Sequence, residues 1–147
     1  MADYQILQGV SYKRYITESS NLQININPYD VSGNLIPQIT IEIDNGNINN
    51  NDVIILLPVI GVPKQSSEYP DNFSLKGNYN CNIRIIRLVN SLGGIRVSGN
   101  DGLNETDSIS GNTAFDFNSF DGRYESISLT PISEGNWSII TSLNNPS

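Results

Sequence analysis

Branched apolar residues recur at every second position along most of this chain, and that rhythm leaves little choice of secondary structure. Leu22, Ile24 and Ile26 alternate with Gln23, Asn25 and Asn27, and Ile39, Ile41 and Ile43 alternate with Thr40, Glu42 and Asp44. A period of two places apolar side chains on one face and polar ones on the other, as a half-buried strand requires. The same pattern returns in Ile95-Arg-Val97, Phe115-Asp-Phe117, Arg123-Tyr-Glu-Ser-Ile127-Ser-Leu129 and Trp137-Ser-Ile139. Val53-Ile-Ile-Leu-Leu57 is apolar throughout and stops at Pro58, which predicts a central strand covered on both faces. Asn82 to Val89 reads as another strand, with Arg84 interrupting one face and Arg87 the other.

Turn-forming residues separate these runs. Pro28 to Asn34 predicts a turn with Gly33 free to take positive φ, and Gly93-Gly94 predicts a tight hairpin. Gly61 to Lys76, rich in Pro and Ser, predicts an irregular excursion. No window carries apolar residues at i, i+3, i+4 and i+7 over three turns, and the Asn, Ser, Gly and β-branched content disfavours helix. With turn signals roughly every 8–12 residues, the expectation is an all-β fold: one antiparallel sandwich or jelly-roll-like domain with little or no helix. About nine or ten short strands are expected. No internal repeat is visible.

The 147 residues fit one domain over 1–147, long enough for a core without covalent staples. Asn45 to Asp52 reads as a long surface loop inside that domain, since neither flank could form a core alone. One cysteine cannot make an internal disulfide. There is no histidine, so the commonest base near neutral pH and the commonest metal ligand are missing. The net charge of −7 argues against nucleic acid as a partner, because such binding neutralises phosphates with Lys and Arg. It suits a water-facing protein. No apolar run is long enough for a membrane helix, and the N-terminus shows no secretion signal.

Candidate chemistry is sparse. Asp101, Glu105 and Asp107 form the densest cluster of oxygen ligands, but their spacing misses the EF-hand loop, and a solvated turn is the expectation. Glycosidase chemistry needs two carboxyl groups about 5–9.5 Å apart across a cleft, and a chain this short has little room for one. Cys81 has no histidine to activate it and is expected to be small, buried and inert. No cofactor, metal site or catalytic residue is expected. The Asn-x-Ser/Thr tripeptides at Asn72, Asn104 and Asn136 follow from an Asn- and Ser-rich composition.

The aromatic residues say more. Trp137 shares a face with Ile139 and is expected as a core anchor whose indole N–H finds an acceptor; the alternative is a platform for stacking sugars. In the first twenty residues Tyr4, Tyr12 and Tyr15 cluster with Lys13 and Arg14. Tyr and Arg are enriched at protein–protein contacts, so residues 1–20 are read as either a docking arm or an ordinary edge strand. Tyr4, Tyr12, Lys13, Arg14 and Tyr15 are the candidate contact residues.

Residues 53–141 resemble the β-domains of tailed-phage fibres, spikes and capsid-decoration proteins. The resemblance rests on the apolar strand ending at Pro58, the corner Asp107-Ser-Ile-Ser-Gly111, Tyr124-Glu-Ser-Ile-Ser-Leu129, and Gly135-Asn-Trp137-Ser-Ile. Thr106 stands where the corner usually begins with Gly, and Gly61 to Lys76 is longer than the usual turn. The likeness implies a non-enzymatic bacteriophage virion protein, commonly a homotrimer, with the major capsid protein or other virion proteins as partners. Read as a whole chain from Met1 to Ser147, it has no heptads or shaft repeats, which favours an outer-capsid decoration or head-fibre subunit over a tail fibre. Such a protein is made in the host cytoplasm and carried on the outer capsid surface. The alternative is a receptor- or glycan-binding adhesin domain that recognises host surface sugars.

Overall fold

A computed structural model describes residues 4–7, 11–16, 22–44, 52–61, 74–88, 94–99, 107–112, 114–117, 125–133 and 135–144. Eleven strands lie within them: β1 (Tyr4–Leu7), β2 (Tyr12–Ile16), β3 (Leu22–Ile26), β4 (Gln38–Asp44), β5 (Val53–Leu56), β6 (Asn82–Arg87), β7 (Ile95–Ser98), β8 (Ser108–Ile109), β9 (Ala114–Phe117), β10 (Glu125–Ser133) and β11 (Asn136–Asn144). They form two sheets, one in the order β1-β3-β5-β7-β9 and the other β2-β4-β6-β10-β11-β8. The expected all-β, two-sheet sandwich is what the chain builds, with no helix among the described residues.

Strand direction inside that sandwich departs from the antiparallel, jelly-roll-like expectation. Six of the nine strand pairings are parallel, and three are antiparallel. From β1 to β7 the chain crosses to the opposite sheet after every strand and returns one position further along. This is the winding of a two-sheet β-solenoid. A tight hairpin would keep two consecutive strands in one sheet and make them antiparallel. Crossing over instead makes sheet neighbours two strands apart in sequence and alike in direction. Gly93-Gly94 is therefore no hairpin: β6 and β7 lie in different sheets. Gly94 N–H donates to Asp52 Oδ1 at 2.9 Å, and its carbonyl accepts from Val53 N at 2.9 Å.

Winding aligns the apolar positions into ladders. Leu22, Val53 and Ile95 stack across one sheet, as do Ile24, Ile55 and Val97. Across the other run Ile39, Ile83 and Leu129, and then Ile41, Ile85 and Ile127. All are buried, and they form one core between the sheets with Trp137, Leu57, Leu75 and Cys81. Full burial of each such side chain stabilises by about 1.5–3 kcal/mol relative to exposure. Val53–Leu56 is central as expected, but only Val53 and Ile55 are fully buried, while Ile54 and Leu56 stay half-covered on the outer face. Arg87 continues the inward register of Ile83 and Ile85 and is buried, with Ile43 and Glu125 as its ladder neighbours.

Tyr4 aligns with Gln23, Gln23 with Ile54, and Ile54 with Arg96. Successive turns are thus 19, 31 and 42 residues long. Lengthening connections explain why a repeating architecture leaves no sequence repeat. The connections are tied locally. Gly33 takes φ 85° in the turn after β3, where the Asp30 carboxylate accepts from Ser32 N and Asn34 N, each at 2.9 Å. After β5, Ser74 bridges back to Val59, and Tyr29 Oη donates to the Ser74 carbonyl at 2.8 Å.

The winding stops at the C-terminal end. β9 turns back antiparallel on β7, where Arg96 grips Asp116 with two hydrogen bonds of 2.8 and 3.1 Å. β10 returns antiparallel against β6, and β11 antiparallel against β10. Pro131 lies beyond Leu129, the last residue paired with β6, where its missing N–H costs no ladder bond on that side.

Candidate interaction site

Four of the five candidate contact residues come together on β2, the free edge of the six-stranded sheet. Tyr4 contributes its backbone to β1, which is the free edge of the other sheet. The first twenty residues are thus not one arm. Their described parts are two edge strands in different sheets at the same end of the winding.

The period of two divides β2 by face. Tyr15 turns inward and is buried in the core, so it is not available to a partner; burial pushes its phenol up to about 12. Lys13 lies on the same side of the strand but stays exposed, with Nζ 5.8 Å from the centre of the Tyr15 ring. Tyr12, Arg14 and Ile16 line the outer face. Tyr12 is 52% exposed and Ile16 71%. Ile16 was absent from the sequence candidates, although its spacing of two from Arg14 and four from Tyr12 is the signal that finds it.

Polar neighbours on β4 hold this outer row. The register sets Tyr12 beside Thr40, Arg14 beside Glu42 and Ile16 beside Asp44. The Tyr12 phenol is raised above its usual range by its hydrogen bond to the Glu42 carboxylate. Arg14 Nη2 stands 3.6 Å from Asp44 Oδ2, a half-exposed pair of the kind that contributes little to stability.

Backbone geometry completes the edge. Thr40 N–H donates to the Ser11 carbonyl at 2.7 Å, so Ser11 aims its backbone groups at β4. Alternation along the strand gives Lys13 and Tyr15 the same direction. Tyr12, Arg14 and Ile16 then turn their N–H and C=O groups outward, where no further strand pairs with them among the described residues.

The opposite end of the six-stranded sheet carries a local tie. Asp107-Ser-Ile-Ser-Gly111 and Gly135-Asn-Trp137, far apart in sequence, meet as β8 alongside the start of β11. Ser108 N donates to the Gly135 carbonyl at 2.8 Å, Ser108 Oγ to Asn136 Oδ1 at 2.7 Å, and Ile139 N to Ser110 Oγ at 3.0 Å. Ser110 and Gly111 both take positive φ, 48° and 85°, forming a tight turn closed by reciprocal bonds between Ile109 and Asn112. Asp107 is not the solvated turn residue expected from sequence. It is buried, and its Oδ2 accepts from Ile60 N at 2.8 Å, tying the corner to the segment after β5. Gly99 packs so closely that a β-carbon there would land on the Asp107 carbonyl. Asp101 and Glu105 lie outside the described residues, as do Asn72 and Asn104, while Asn136 is engaged by Ser108.

Two sequence expectations concern the core. Cys81 is fully buried, and loss of solvent pushes its thiol up to about 12. Trp137 is a fully buried anchor and presents no surface for stacking sugars. Its Nε1, however, has no hydrogen-bond partner among the described residues, contrary to expectation. Among the described residues no group of three or more Asp, Glu or Cys is arranged to hold a metal. No family model matches the chain, nor does any curated protein or solved structure.

Proposed function

We propose that this chain is a non-enzymatic structural protein of a virion, decorating or projecting from the outer capsid surface and stabilising the shell. Its partners in this reading are the major capsid protein or other virion proteins, and the phage-like motifs imply a homotrimer. One observation carries the reading: the two sheets end differently. The C-terminal end carries reversed strands, whereas the N-terminal end has two parallel edges that no further strand pairs with among the described residues and sets Tyr12, Arg14 and Ile16 in the solvent. A protein built this way has a foot and a head. Seating the foot on neighbouring shell subunits stabilises the lattice by mass action, since only the assembled lattice binds it.

The test is co-sedimentation of the purified chain with intact virus particles, after light scattering has established its mass. Binding that saturates, and is lost in Ile16→Lys without loss of fold, supports the reading. A chain that ignores particles but is retained on host glycans would instead favour an adhesin, through residues other than the buried Trp137.

A further inference from the structure

We draw no further inference here: the strongest candidate, the surface patch of exposed isoleucines Ile132 and Ile140 at the two register shifts between β10 and β11, is an unpartnered apolar face, and nothing in the structure shows what covers it.

Discussion

The two ends of this molecule are made from similar strands and behave as opposites. At the N-terminal end β1 and β2 are parallel to their neighbours, and among the described residues no further strand pairs with either. At the C-terminal end β9 runs antiparallel to β7 and β10 to β6, β11 reverses again on β10, β8 is only two residues long, and Asp107, Ser108 and Ser110 bond to Ile60, Gly135 and Ile139. A parallel winding presents the same geometry after every turn and has no intrinsic terminus. Reversal interrupts that succession of equivalent turns, so the two ends differ in strand direction and in the local bonds that hold them.

The sharpest way to break this comparison is at the closed end. Gly99→Ala drives a methyl into the Asp107 carbonyl, a backbone group with nowhere to yield. The expected loss is about 3 kcal/mol or more in urea unfolding. A near-neutral result would mean that the corner is not tightly seated. Asp107→Ala should follow at about 1–3 kcal/mol, because the Ile60 N–H loses its acceptor inside the fold.

Alkali probes core and edge together. Tyr15 at the open end and Cys81 in the core are both pushed up to about 12, from ordinary values of 10.0 and 9.0. The folded chain thus holds protons that the unfolded chain releases, and the associated stability is complete below pH 9 and lost as pH rises toward 12. The urea midpoint should decline across that window. In Cys81→Ala the decline should begin nearer 10, where Tyr15 and the other raised phenols, Tyr12 and Tyr29, contribute.

The smallest effect is expected at the open end. Ile16→Lys should change unfolding by no more than about 0.5 kcal/mol, since the side chain is already in water. Hydrogen exchange would sharpen the contrast without substitution. The outward amides of Tyr12, Arg14 and Ile16 should exchange far sooner than those of Ile83 and Ile85 in the middle of the same sheet. Equal protection would mean that the edge is covered.

Strands and faces were legible because both depend on local alternation. Ile39, Ile41 and Ile43 declare an inward face, and so do Ile83 and Ile85, whatever they pair with. Cys81 was legible as a core residue because a thiol with no histidine beside it behaves as a small hydrophobe, and Trp137 because Ile139 shares its face. The edge site was half legible. Tyr12, Lys13 and Arg14 could be named, but Tyr15 follows the inward parity of the strand and Ile16 the outward one, and parity has no sign until a core exists.

What the sequence determined by itself was the all-β character and the faces of the strands where branched apolar and polar residues alternate, because these rest on side-chain period. The tertiary structure alone decided strand direction. Alternating polarity is the same for parallel and antiparallel neighbours, and only the path of the connections, across to the other sheet or back along the same one, distinguishes them. It also decided that Gly94 lies against Asp52 and not in a hairpin, that Asp107 is a buried tie, and that the indole N–H of Trp137 finds no partner among the described residues. Each depends on which distant backbone arrives within about 3 Å, the reach of a hydrogen bond, and no local pattern encodes that.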